Sequence, residues 1–448
     1  MWQYSPSLVP GLLHRADRVV FHRPLVPQST RNASGQTTTV RPVTMDTTPA
    51  ATDPPALREA LVAKIDGLGT FRTQAVKDAF RTVPRHVFLP GTDPATAYAP
   101  KQVVTKRAAD GTAVSSASSP NIVAIMLEQL QVANGQKVLE VGAATGINAA
   151  LLSELVGTTG TVTTIELDHD LAEGARTHLA EAGYDRVTVL CRDGALGDPD
   201  GAPYERIIVT AGAWDIPAAW WQQLTAGGRL VVPLRLHSSG LTRSLAFERT
   251  DSARMVSTNA ATCGFVPMRG ATEMGEIHVR LADETILKVD ADDLPDEPAL
   301  AAALGHPAHQ QSTGIRIQHD EMAAHLDLWL ATVNSGLHFG KLSVSDTARA
   351  LGLADPARQW SGAGLYRNGT VAYLTTRPVD DDTYELGITT HGPDANKIAA
   401  EVNDLLHHWS RERPAQPIVT AYPAATPDDH LAHGARVDRP ETRLTIGW

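Results

Sequence analysis

The sequence predicts an α/β fold, a doubly wound sheet followed by a separate α+β region. Three observations carry that expectation. Lys137-Val-Leu-Glu-Val-Gly-Ala-Ala-Thr-Gly-Ile-Asn148 reads as a buried strand, a glycine-punctuated turn and the entry to an alanine-rich helix. A second strand pattern, Thr161-Val-Thr-Thr-Ile165, ends at an acid, Glu166, 20 positions after Gly146. Strand and helix patterns then alternate as far as Leu230–Pro233, the rhythm of parallel strands joined by crossover helices.

Taken in order, residues 1–54 lack sustained periodicity and are Ser/Thr- and Pro/Thr-rich in stretches, which predicts disorder. Five arginines and one acid precede residue 45. That bias resembles a transit peptide but lacks its amphipathic helix, and Met45 is a candidate start. Two helices are expected over 56–90, with Leu57, Leu61 and Ile65 on one face and Val76, Phe80 and Val83 on the other's; Pro84 stops the second. The Thr/Ala/Gly/Ser-rich stretch 91–120 reads as a loop. A helix follows over Asn121–Leu130, and Asn134-Gly135 turns the chain into Val138–Val141. Further strands are expected at Thr161–Ile165, Val187–Leu190, Ile207–Val209 and Leu230–Pro233, with helices near 147–156, 171–182 and 217–224. Gly183 ends a helix in a left-handed turn. Beyond residue 265 the pattern changes to mixed strands (Ile277–Leu281, Thr285–Val289), an Asn368-Gly369 hairpin and helices at 320–332 and 395–409. The expected division is thus 1–54, 55–265 and 266–448.

Composition narrows the function. The chain has 448 residues, a net charge of −11 and two cysteines. From residue 271 onward there are 14 Lys+Arg against 26 Asp+Glu, so acidity belongs to the C-terminal part. Nucleic acid is an unsuitable partner for such a surface. The plainer reading is that the charge keeps this region soluble. No apolar run reaches 18 residues, so no membrane span is expected. Cys191 and Cys263 fit a reduced, cytoplasmic setting better than a disulfide framework. The histidine pairs (His306/His309, His407/His408, His430/His433) lack metal-binding spacing, and no metal is expected. Trp220, Trp221 and Trp329 read as core, and Gly362-Ala-Gly364 as a turn.

The Gly142-Ala-Ala-Thr-Gly146 turn excludes the usual dinucleotide fingerprint, which needs an intervening glycine. Glu140, at the end of the preceding strand, disfavours pyrophosphate and favours a cationic ligand. S-adenosylmethionine has a sulfonium, an ammonium and no phosphate. Glu166 would hold its ribose, Asp193 its adenine amino group, and Gly194 would admit the flat ring.

Several stretches together resemble the protein-L-isoaspartate O-methyltransferases. They are Val83-Pro-Arg-His-Val-Phe-Leu-Pro90, Ser118-Ser-Pro-Asn-Ile-Val-Ala124, Val138-Leu-Glu-Val-Gly-Ala-Ala-Thr-Gly146, Arg192-Asp-Gly194, Tyr204-Glu-Arg-Ile-Ile-Val-Thr-Ala211 and Gly227-Gly-Arg-Leu-Val-Val-Pro233. The resemblance implies a Rossmann-like class I methyltransferase that esterifies an aspartate-type carboxylate. Its cofactor set here is Glu140, Gly142, Ala143, Gly146, Asn148, Glu166, Leu167, Asp193, Gly194 and Thr210. Ser116 and Ser118 are the catalytic candidates, with Ser115 and Ser119 at the substrate. Two departures stand out: Ala144 occupies a position that is glycine in the family, and Ser115-Ser-Ala-Ser-Ser-Pro120 replaces Gln-Thr-Ile-Ser-x-Pro.

Leu326-Asp-Leu-Trp-Leu330, Ala421-Tyr-Pro-Ala-Ala-Thr-Pro427 and Thr442-Arg-Leu-Thr-Ile-Gly-Trp448 resemble a subfamily that accompanies ribosomally made modified peptides, lanthipeptides in particular. That resemblance implies methylation of an ordinary aspartate in a precursor peptide, collapse of the ester to an aspartimide, and hydrolysis to isoaspartate. The second region would grip the peptide. The alternatives are a general isoaspartyl repair enzyme with an added domain, and a cofactor-binding module without transfer.

Overall fold

A computed structural model describes residues 53–448 apart from 238, 271–276, 291–293, 351, 353 and 355–361. The expectations for residues 1–52 lie outside the described residues. The parallel part of the first sheet forms as read. Lys137–Val141 is central, flanked by Thr161–Glu166 and Tyr204–Val209; Thr188–Cys191 and Leu224–His237 lie outside these, all parallel. β-Branched residues dominate Thr161–Glu166, and its inward positions Val162 and Ile165 are 3% and 1% exposed. The helix Ile147–Val156 is buried nearly all round, from Ala149 and Ala150 to Leu151 and Leu152. Helix His169–Glu181 ends at Gly183 (φ +83°), and the Tyr184 N–H closes back onto Leu179 O at 2.8 Å, the left-handed stop the glycine predicts.

Two regions differ from the sequence reading. Residues 91–120 are not a loop. A short helix, Pro94–Ala97, precedes an antiparallel hairpin of Val103–Arg107 and Ala113–Ala117. Its strands lack apolar alternation because the first is half exposed to solvent and the second turns Ser116 to a cavity rather than a core. The second difference is in the C-terminal part. A seven-stranded antiparallel sheet takes residues between Ile277 and His391, and its Asn368-Gly369 turn has φ +48° and +68°, the paired left-handed geometry expected of a two-residue hairpin. The last three strands, however, return to the first sheet. Ile418–Pro423 pairs antiparallel with Met255–Thr262, and Thr442–Gly447 and Ala435–Asp438 add beyond it, making ten strands. Residues 266–448 are therefore not one separate layer. Helices Ala323–Thr332 and Ala395–Glu412 pack on the second sheet. A single hydrophobic cluster runs from Leu245 and Phe247 through Leu326 and Trp329 to Trp409, Val419 and Ile446. Trp220, Trp221 and Trp329 are all core. No helix among the described residues is long and apolar enough to cross a membrane.

Candidate active site

A cavity with about 850 Å³ of empty space, open to solvent, lies over the carboxyl ends of the parallel strands. That is where ligands bind in open α/β sheets. Its floor is the turn after Lys137–Val141. The N–H groups of Gly142 and Ala143 donate to Ile165 O at 2.8 and 2.9 Å. Gly142 has φ +103°, and a Cβ there would stand 2.7 Å from Thr210 Oγ1. Thr210 donates its hydroxyl to Gly142 O at 2.6 Å, sealing the turn from the neighbouring strand. Ala144 sits at φ +46°, the left-handed region that costs a non-glycine residue about 1–2 kcal/mol. Its N–H donates to Glu166 Oε2 at 2.8 Å, while Glu166 Oε1 accepts from the Leu167 and Asp168 N–H groups. Glu166 thus stands at the strand tip with its carboxylate oriented by three backbone donors and facing the cavity.

Glu140 lies one layer lower. It is wholly buried, accepting from Asn148 Nδ2 at 2.8 Å and Thr164 Oγ1 at 2.6 Å. Burial pushes its carboxyl up to about 7 against those two bonds, and Glu166 adds to the rise. Glu140, Ala143, Gly146 and Asn148 support the floor and do not line it. Gly146 (φ +88°) starts the helix and backs onto Leu179. Asp193 also stands off the cavity wall: its carboxylate accepts from the Ala195 N–H at 2.9 Å, capping a short turn. Gly194 does line the cavity. A Cβ on it would come 2.4 Å from Val141 Cγ1, so the chain needs glycine to lie against the strand tip.

The hairpin supplies the opposite wall. Ser115, Ser116, Ser118 and Ser119 all reach the cavity, yet they are not equivalent. Thr105 donates to Ser115 Oγ at 3.0 Å, and Ser119 donates to Pro100 O at 3.4 Å. Ser116 and Ser118 keep their hydroxyls for the cavity. Arg85, 5% exposed, holds this segment from behind, donating to the carbonyls of Ala97, Ala117 and Ser118. Burial lowers its guanidinium to about 10. The third wall, Gly264–Arg269, was not anticipated; the expected domain boundary at 265 falls inside it. It is anchored where the Gly212 N–H donates to Val266 O at 2.8 Å and the Met268 N–H donates to Gly212 O at 2.9 Å. The hairpin and this strap meet at Asp168. Lys106 reaches it at 3.0 Å and Arg269 at 2.9 Å, and the Arg269 bonds, then Lys106, hold its carboxyl below the usual range.

The residues present fit S-adenosylmethionine. A carboxylate stands at the second strand's tip, the floor is open backbone, and Ile165, Leu167, Leu171 and Met268 supply apolar wall. Arg269, the one cation among the described lining residues, is committed to Asp168. Of the predicted residues, Ser115, Ser116, Ser118, Ser119, Gly142, Glu166, Leu167, Gly194 and Thr210 converge on the cavity. Sequence reasoning missed Gln102 and the strap. Asp110-Gly111, inside the five-residue loop between the strands, is a turn signal that could have revealed the hairpin that follows Gln102. The strap has no periodicity to find. Among the described residues no cluster of three or more His, Cys, Asp or Glu is arranged for a metal.

Fold and site define a class I S-adenosylmethionine-dependent O-methyltransferase. The family model for protein-L-isoaspartate(D-aspartate) O-methyltransferase matches residues 56–273. The protein-L-isoaspartate O-methyltransferase of Methanopyrus kandleri is 40% identical over 214 residues, 48% of this chain and 91% of its own. That of Methanosarcina mazei is 39% identical over 214 residues, 48% and 84% of the two chains. A solved structure titled protein-L-isoaspartate O-methyltransferase aligns over 87% of this chain and 99% of its own, with a TM-score of 0.47 and 22% identity, a likeness too loose to carry a structural inference. The chain belongs to the protein-L-isoaspartate O-methyltransferase family.

Proposed function

We propose that this enzyme methylates an isoaspartyl carboxylate exposed in a protein or peptide, the acceptor named for its relatives. The observation that carries the reading is the pair of uncommitted hydroxyls, Ser116 and Ser118, facing the Glu166-tipped floor across one cavity. A carboxylate is ionised near neutral pH and needs no base. When bound, S-adenosylmethionine supplies a methyl group activated by its sulfonium. Ser116 and Ser118 orient the acceptor by donating hydrogen bonds without taking its proton, and Arg85 fixes their backbone. The hairpin and strap wall the site on two sides, and most of the rate gain comes from placement. The test is incubation of the enzyme and donor with an isoaspartyl peptide, read as the mass of one added methylene. Ser118→Ala should lower turnover at least about tenfold with donor affinity unchanged. Unchanged turnover removes Ser118 from the site.

A second reading is favoured by two features: the substituted Ser115–Ser119 segment, with Ser115 tied to Thr105, and the second sheet. In it the acceptor is an ordinary aspartate in a ribosomally made, modified peptide such as a lanthipeptide precursor, and the ester passes through an aspartimide to isoaspartate. Methylation of a lanthionine-bearing peptide, with the isoaspartyl peptide left untouched, would select this reading.

A further inference from the structure

Three uncommitted polar side chains face the cavity from one side of the hairpin. Gln102 and Ser118 flank the terminal ladder pair Val103↔Ala117, one residue before the first strand and one after the second. Gln102, Ser116 and Ser118 all line the cavity. Two other hydroxyls of the segment are held internally: Ser115 Oγ accepts from Thr105, and Ser119 donates to Pro100 O. The Gln102 carboxamide makes no side-chain hydrogen bond among the described residues. A carboxylate acceptor offers two oxygens with about four lone-pair sites, more than two hydroxyl protons satisfy. A carboxamide adds N–H donors without adding charge. A lysine or arginine there would weaken the nucleophile and repel a cationic donor.

We propose that Gln102 is a specificity residue that reads the acceptor carboxylate: its Nε2–H donates to one oxygen while Ser118 holds the other. This rests on the carboxyl-acceptor reading above. No bond is made or broken at Gln102, so its contribution is to acceptor affinity and alignment.

The test uses the full chain, wild type beside Gln102→Ala and Gln102→Glu, with a short isoaspartyl peptide and a lanthionine-bearing peptide as acceptors. Gln102→Ala should lower kcat/KM for whichever peptide the wild type accepts by about tenfold or more, mainly through KM, the scale of one hydrogen bond to a charged group. Donor affinity measured by calorimetry should stay within about twofold, and the melting temperature should not move, because the side chain is exposed. Gln102→Glu should lose more at mildly alkaline pH and recover relative to wild type as the pH falls and its carboxyl is protonated into a donor, a profile that a purely structural role would not produce. An active wild type with unchanged kinetics in Gln102→Ala overturns this inference alone, as does a loss of donor affinity equal to the loss of activity. A wild type that binds donor but methylates neither peptide overturns the acceptor reading and this inference with it.

Discussion

Two side chains, one in the floor and one beneath it, carry a measurable cost. Ala144 holds a left-handed φ of +46°, so Ala144→Gly should relieve that strain while making the unfolded chain more flexible. The net gain is about 0.5 kcal/mol, read as a higher urea midpoint at unchanged slope. Glu140 is the larger case. Its folded value of about 7 lies above the ordinary 4.5, so the folded protein keeps a proton that the unfolded chain releases. Stability from this group is full below about pH 4.5 and is lost as the pH rises through about 7. Glu140→Gln keeps both bonds, accepting from Asn148 and donating to Thr164. It should flatten that decline, a difference of roughly 3 kcal/mol across the window, checked by urea unfolding at pH values on either side. Glu140 was legible from the strand-turn motif as an acid beside the cofactor. That it lies beneath the floor was not, because strand alternation does not say how deep a turn sits.

The hairpin and the strap are tied to one carboxylate, Asp168, by Lys106 and Arg269. Both cations are about one-third exposed, and exposed pairs of this kind contribute little to stability. The consequence belongs to motion of the two walls. Arg269→Ala should speed donor dissociation roughly threefold and reduce its dependence on salt, seen in stopped-flow release, while the melting temperature stays put. The parallel strands were legible because each is a short apolar or β-branched run entered after turn residues, as after Asn134-Gly135 and Gly183. The hairpin was not, because Val103–Arg107 is half exposed to solvent and Ala113–Ala117 turns Ser116 to the cavity, so neither strand carries an apolar face. The strap Gly264–Arg269 has no repeat of any period.

The C-terminal strands tie the end of the chain back into the first sheet of the described residues. Val419, Ala421, Leu444 and Ile446 are each no more than 1% exposed and extend the first sheet beyond Met255–Thr262. Fully burying Val419, Leu444 and Ile446 is worth about 1.5–3 kcal/mol each, comparable together to the roughly 5–15 kcal/mol that typically holds a domain folded. A chain ending at Pro417 should therefore lose its cooperative melting transition and most of its soluble yield, measured by circular dichroism and by fractionation. Retention of a sharp transition would show that the added strands are dispensable.

Local chemistry was readable along the chain wherever neighbours in sequence are neighbours in space. The strand, the turn at Gly142–Gly146, the acid at Glu166 and the serines at 115–119 follow from propensity, turn geometry and short spacing, and these were enough for the fold class and the donor. Which hydroxyls remain uncommitted, that Gln102 stands beside them, and that residues past 417 complete a sheet begun near 137 depend on pairings between distant segments. Those pairings are chosen by burial of the assembled core, a property that no window of the sequence contains.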